Sequence, residues 1–271
     1  MHDDASARYM VQTNLDVSEF MSSPVITISS DANLVDAVPV MVQKKIGNLV
    51  IVEREDPLGI LTEREILYYL SLNKELPGVP IDRVLLQKFI KLSPSSSLTE
   101  AAKLMIRRKG RLLVFQSDNP GRDQLIGIIT ASDIVRGFLR TGKDPALRGV
   151  MTTRVYTLRS DKTILAAIKM MYKKRIGSVI IEKENGSPYG IFTERDLLTR
   201  VLNVNASMED KVGDYCSHSL RMARFGIGAK AAGKLMLENG MKRLPLIYRD
   251  KVAGIVTARD LVDAFQREMS K

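Results

Sequence analysis

The chain repeats itself four times, and this periodicity bounds its architecture more tightly than any other feature. "GILTEREI" begins at Gly59, "GIITASDI" at Gly127, "GIFTERDL" at Gly190 and "GIVTARDL" at Gly254. The glycines step by 68, 63 and 64 residues. The threonines (Thr62, Thr130, Thr193, Thr257) keep that spacing, and so do the acids three residues on (Glu65, Asp133, Asp196, Asp260). Such a unit is longer than most solenoid repeats and shorter than an average domain, so each copy needs a neighbour to complete its core.

The third copy shows the unit in full. "VYTL" reads as a short strand. "SDKTILAAIKMMYKKR" places Ile164, Leu165, Ile168 and Met171 at helical spacing after a polar start at Ser160–Asp161. "SVIIE" and "YGIF" form a hairpin around Asn185-Gly186, and "TERDLLTRVL" is a second helix. The predicted order is β-α-β-β-α, a mixed α/β (α+β) unit. In the second copy, Ser97-x-x-Glu100 is a capping-box pattern, and "SDNPGRD" separates two strands. Two places fit less well. Pro39 should kink the first helix of copy one or displace its start. The glycine-rich "RFGIGAKAAG" predicts a late or irregular helix in copy four, with Gly226, Gly228 and Gly233 serving packing or flexibility.

The Thr-x-x-acid sequence follows a strand and opens a helix, and two readings share that geometry. Thr at the N-cap accepts a backbone N–H, and the acid suits the positive end of the helix dipole. Capping boxes favour Glu, yet three copies carry the shorter Asp. A short acid beside a helix N-terminus can also accept both hydroxyls of a ribose, with Arg or Lys holding phosphate.

Charge and residue counts narrow the function classes. Lys and Arg outnumber Asp and Glu by 41 to 31, a net charge of +10. That excess suits nucleic acid, an anionic membrane or phosphate-bearing ligands, and equally a solvated lysine surface. Aromatics are only 6% of residues, and no nucleic-acid motif appears. One cysteine, Cys216, allows no intrachain disulfide and suits a reducing compartment. With His2 and His218 the only histidines, neither a zinc site nor a Cys/His or Ser/His/Asp catalytic set can be drawn, so no enzyme is expected. No apolar run has membrane-spanning length, and the N-terminus lacks a signal-peptide pattern. The expectation is a soluble cytoplasmic protein.

Together the copies resemble the CBS domain, a regulatory module found in tandem pairs. The residues that carry the resemblance are "VIT" at 25–27 and "VYT" at 155–157, then an amphipathic helix. "IGNLVIV", "IGSVII" or "MKRLPLI" follows, and then Gly-h-h-Thr-x-x-Asp. Read this way, residues 1–19 are an N-terminal arm, and the copies span 20–72, 85–140, 150–203 and 212–266. The resemblance implies that copies one and two pair through their sheets, as do three and four. The two modules then assemble as a disc, within one chain or as a homodimer.

It also implies adenine nucleotides or adenosine derivatives (AMP, ADP, ATP or S-adenosyl compounds) as regulatory ligands in clefts between paired copies. One cleft would hold Thr130, Ser132 and Asp133, walled by Ile26, Ile46 and Gly47, with Arg111 near a phosphate. A second would hold Thr257, Arg259 and Asp260, walled by Tyr156, Ile176 and Gly177, with Lys242 and Arg243 near a phosphate. A third would set Thr193, Arg195 and Asp196 against "MKRL". The Glu65 cleft departs from the Asp pattern and should be the poorest. The expected function is a stand-alone, non-catalytic ligand sensor signalling to an unidentified protein partner. A basic nucleic-acid-binding protein with adenine nucleotide as effector is the alternative.

Overall fold

The computed structural model describes residues 15–84, 86–108, 111–119, 122–218 and 220–270. Residues 1–14 of the arm and the Pro120-Gly121 centre of the second hairpin lie outside them. Repeat 1 comprises β1 (Thr27–Ser29), α1 (Leu34–Gln43), β2 (Asn48–Glu53), β3 (Asp56–Thr62) and α2 (Glu63–Asn73). Repeat 2 comprises β4 (Phe89–Leu92), α3 (Leu98–Arg108), β5 (Arg111–Asn119), β6 (Arg122–Ile129) and α4 (Ala131–Phe138). Repeat 3 comprises β7 (Thr157–Arg159), α5 (Ile164–Lys174), β8 (Ser178–Glu182), β9 (Pro188–Thr193) and α6 (Glu194–Asp196). A short helix, α7 (Val212–Tyr215), precedes repeat 4, which comprises β10 (Ala223–Arg224), α8 (Ala229–Glu238), β11 (Arg243–Tyr248), β12 (Lys251–Thr257) and α9 (Ala258–Met269).

Each repeat forms its own three-stranded sheet, the first strand parallel to the second and the second antiparallel to the third. The parallel pair is joined by the repeat's first helix, as parallel strands require. The segment leading into each repeat crosses the third strand of its partner. Ser22 exchanges backbone hydrogen bonds with Ile128, Gln87 with Ile60, Thr152 with Ile255 and Ser217 with Ile191, all between 2.8 and 3.1 Å. Repeats 1 and 2 are thereby one module, and repeats 3 and 4 the other, as the resemblance implies.

This crossing explains the repeated glycine. A Cβ on Gly59 would lie 2.8 Å from Leu86 Cβ, and one on Gly190 would lie 2.6 Å from Cys216 Sγ. On Gly127 it would overlap Met21, and on Gly254 it would press on the Thr152 carbonyl at 3.2 Å. The motif glycine is the place where the crossing segment of the neighbouring repeat, by side chain or backbone, comes too close for a Cβ.

The helices join the modules. One hydrophobic core is built from repeats 2 and 4, with Phe138 and Phe265 stacked at 5.0 Å. A second is built from repeats 1 and 3, around Met41, Ile66, Ile168 and Phe192. Val50, Ile60, Leu113 and Phe115 fill the space between the sheets of repeats 1 and 2. Four repeats thus close a ring within one chain: sheets join 1 to 2 and 3 to 4, and helices join 1 to 3 and 2 to 4. From Leu15 onward the chain already belongs to it, with Val17 and Phe20 buried in the core of repeats 2 and 4.

Three local expectations change. Helix α1 begins at Leu34 behind an Asn33–Asp36 capping box and runs through Pro39, so its start is not displaced. Helix α8 is a regular ten-residue helix rather than a late or irregular one. Gly228 offers its N-terminus no side-chain cap, and Asp144 Oδ1 supplies one by accepting the Lys230 N–H at 2.8 Å. Gly233 lets α8 approach Val135 of α4. The second helix of repeat 3 holds α geometry only to Asp196, then widens into a π turn (Leu197–Val201). There Thr199 Oγ1 donates to the Arg195 carbonyl at 2.9 Å, a back-bond that loosens the helical ladder.

Candidate ligand cavities at the ring centre

All four Thr-x-x-acid sequences form the capping box, and all four use one carboxylate oxygen for it. Glu65 Oε2 accepts from the Thr62 N–H at 2.9 Å and from its hydroxyl at 2.5 Å. The Oδ2 atoms of Asp133, Asp196 and Asp260 accept the matching pairs at 2.6–2.9 Å. The cap is therefore real in every repeat. What distinguishes the repeats is the second oxygen.

Glu65 Oε1 accepts from Gln87 Nε2 at 2.7 Å. Asp133 Oδ1 is taken by the Arg136 guanidinium, one turn along its own helix. Asp196 Oδ1 accepts from Ser217 Oγ at 2.8 Å and pairs with Arg200 at 3.1 Å. Asp260 Oδ1 has no hydrogen-bond partner among the described residues. Glu65, Asp133 and Asp196 are buried, whereas Asp260 is half-exposed to a cavity. Incomplete hydration raises the Asp260 pKa, opposed by its bonds to Thr257.

That cavity has a volume of about 440 Å³ and takes walls from all four repeats. Thr257, Arg259 and Asp260 line it with Tyr156, Ile176, Gly177, Lys242 and Arg243, so the structure brings this whole predicted set together. Tyr156 is half-buried between Arg154 and Lys174, whose charged groups lie 5.2 and 5.5 Å from its ring centre. Thr130, Ser132, Arg111 and Gly47 reach the same space. Ile26 and Ile46 do not; they pack against the core of repeats 1 and 3, and Asp133 is not in the wall. A second cavity, of about 690 Å³, gathers Thr193, Arg195 and Asp196 with Ser217, Met241, Lys242 and Arg243. Both fall within the usual range of ligand pockets, roughly 300–1,000 Å³.

Between the cavities lies a charged cluster. Arg64 of repeat 1 meets Glu194 of repeat 3 at 3.0 Å, and Arg195 of repeat 3 meets Glu63 of repeat 1 at 2.9 Å. Repeats 2 and 4 carry Ala131 and Ala258 where these glutamates stand. They contribute cations instead: Arg243 pairs with Glu194 at 2.8 Å, and Arg111 buries its Nε without a hydrogen-bond partner among the described residues. Burial lowers the Arg111 pKa. It lowers that of Lys242 too, because protein crowds the ammonium on most sides. Arg195 and Arg259 also reach across the ring, donating to the carbonyls of Met41 and Met105. Seven cations and three carboxylates line the Asp260 cavity. Gln87, Arg136, Arg200 and Ser217, which occupy the outer oxygens, were not singled out from the repeated motif, although Arg136 and Arg200 stand one turn past Asp133 and Asp196 and Ser217 stands beside Cys216 and His218. Among the described residues no His, Cys, Asp and Glu side chains converge as a metal site needs, and no helix is long and apolar enough to cross a membrane.

Four βαββα repeats closing a ring around small-molecule-sized cavities define a tandem-repeat architecture. The chain belongs to the CBS domain family, whose profile matches residues 17–72, 81–140, 147–203 and 212–267. It is 26% identical over 193 residues to the uncharacterized protein MJ1225 of Methanocaldococcus jannaschii, covering 65% of this chain and 68% of that one. It is 28% identical over 200 residues to a 33.4 kDa protein in the ribosomal RNA operon of Thermofilum pendens, covering 69% and 64%. Over 92% of its length it matches MJ1404 of Methanocaldococcus jannaschii at 23% identity, spanning 61% of that protein. Among solved structures, MJ1225, put forward as an archaeal homolog of g-AMPK, superposes with a TM-score of 0.77 at 18% identity, covering 93% of this chain and 100% of that one. A conserved protein from Pyrococcus horikoshii gives 0.62 at 19% identity, with the same coverage.

Proposed function

We propose that this protein is a non-enzymatic sensor of adenine nucleotides, holding AMP, ADP or ATP in the Asp260 cleft and, more weakly, in the Asp196 cleft. The observation that carries the reading is the unoccupied acceptor of Asp260. Its inner oxygen caps α9, and its outer oxygen faces a cavity where a ribose diol could donate to it. Cations outnumber carboxylates in that wall, which favours a phosphate tail over the sulfonium of S-adenosylmethionine. The same count favours a small internal anion over a nucleic acid, since much of the positive excess points inward. Tyr156, Ile176 and Gly177 supply a flat apolar wall suited to a base. The signal passes to a partner protein through the ring, which the ligand stiffens by touching all four repeats.

Calorimetry and thermal melting against AMP, ADP, ATP, adenosine and S-adenosylmethionine test this, because a ligand of the folded state raises Tm by mass action. Asp260→Asn keeps an oxygen for the cap but loses the outer acceptor. It should weaken AMP about tenfold, the worth of one charge-assisted hydrogen bond, with Tm of the free protein nearly constant. A Tm indifferent to every adenine compound counts against the reading. The ring closes within one chain, so neither cleft requires a second copy; light scattering separates a monomer from a homodimer of rings.

A further inference from the structure

The two cavities share part of their walls. Lys242, which immediately precedes β11, and Arg243, its first residue, line both the Asp260 cavity and the Asp196 cavity. Two glycines make room for them. A Cβ on Gly47 would lie 2.9 Å from Lys242 Nζ, and a Cβ on Gly177 would overlap the Arg243 guanidinium. Arg243 is committed to Glu194, but Lys242 has no ion pair among the described residues. Each cavity also has cations of its own: Arg154 and Arg175 line only the first, Lys45 and Arg221 only the second.

We infer that Lys242 is a shared anion clamp, so that phosphorylated ligands in the Asp260 and Asp196 clefts compete for it and each weakens the other. This rests on the nucleotide reading of the two clefts. One ammonium cannot neutralise two phosphates at once, and the second phosphate to arrive also meets the charge of the first across a confined, poorly screened space. Arg243 can move toward one anion only by leaving Glu194. A ligand without phosphate makes no such demand and should show no coupling. The consequence is a sensor whose response to a phosphorylated ligand is graded over a wider concentration range than one site gives.

The test uses the full chain and two single-cleft variants, Asp196→Asn and Asp260→Asn, titrated calorimetrically with AMP and with adenosine. Each cleft should bind AMP severalfold more tightly when the other is disabled, while adenosine binds the intact cleft equally whether or not the other is disabled. Lys242→Gln, placed in each single-cleft background, should weaken AMP at both clefts about tenfold, the loss expected for one charged contact. Arg154→Gln should weaken only the Asp260 cleft and Arg221→Gln only the Asp196 cleft. The Lys242 side chain makes no hydrogen bond among the described residues, and the 3.0 Å bond from the Ala258 N–H to the Lys242 carbonyl is left in place by Lys242→Gln. Equal AMP affinities in the full chain and the single-cleft variants, or a Lys242→Gln effect confined to one cleft, would overturn the shared clamp and leave nucleotide binding standing. Failure of both AMP and adenosine to bind any of these proteins would overturn both.

Discussion

Gln87 donates its side-chain amide to Glu65 Oε1 over 2.7 Å, and with that bond the segment leading into the second repeat closes the first repeat's acid. Glu65 is buried and its other oxygen is used by the cap. Gln87→Ala strands a buried carboxylate oxygen and should cost about 1–3 kcal/mol of stability. Urea unfolding would register it as a lower midpoint at constant m. AMP affinity at the Asp260 cleft should stay unchanged, since Gln87 lies in neither cavity wall.

Glu194 is the anionic hinge of the charged cluster, holding Arg64 at 3.0 Å and Arg243 at 2.8 Å. Glu194→Gln leaves two cations facing each other across the module junction. Breaking a buried pair from one side costs roughly 3–5 kcal/mol, and Arg64 is 40% exposed, so about 3 kcal/mol is expected. Part of the loss should return when millimolar phosphate is added, because an oxyanion can stand in for the missing carboxylate. A melting curve with and without phosphate measures both.

On the proposed nucleotide reading, Lys242 should make binding sensitive to alkaline pH. Burial lowers its pKa below the ordinary lysine value. A lysine lowered on folding penalises the folded state at low pH, and that penalty lifts as pH rises through the folded pKa. A bound phosphate favours the ammonium and restores the pKa. Nucleotide binding should then take up protons between the lowered and the restored values, and affinity should fall as pH rises through that window. Calorimetry in buffers of different ionisation enthalpy would count the protons, and Lys242→Met should abolish the uptake.

Cys216 reports on the junction of repeats 3 and 4. It is buried against Gly190, and burial, assisted by the Asp196 charge, pushes its thiol up to about 11. The reactive thiolate is therefore scarce at neutral pH. An aromatic disulfide reagent should label the native protein far more slowly than the urea-unfolded chain, and ligand binding should slow it further.

The repeat carried most of the fold in plain view. Four glycines, threonines and acids at one spacing imply four like units, and the β-branched runs and amphipathic stretches place their strands and helices. What escaped was whatever one repeat borrows from another. The regular start of α8 depends on Asp144, which lies in a linker far from "RFGIGAKAAG". The fate of three of the acids depends on polar side chains that no motif marks: Gln87 at Glu65, Arg136 at Asp133, and Ser217 with Arg200 at Asp196. Arg195 and Arg259 sit inside the motif, yet they also bond to backbone across the ring, a destination set by tertiary packing. The cavity set around Asp260 was legible through the resemblance to the CBS domain, which carries over onto matching positions of the unit. The sharing of Lys242 was not, because it arises only when two clefts meet.

The division of labour within the carboxylate has a consequence for how such chains diverge. At Asp260 one oxygen holds the helix and the other faces the cavity, while in the other three repeats the second oxygen is already paired, so on the nucleotide reading a lineage can silence a cleft while keeping its cap. Replacing Asp by Glu, as at Glu65, keeps the cap; adding one polar neighbour, as at Gln87, fills the outer acceptor. Each change is a single codon step with little penalty in folding. A duplicated gene of this kind can therefore lose and regain ligand sites one repeat at a time, and the number of working clefts becomes an inherited variable independent of the number of repeats.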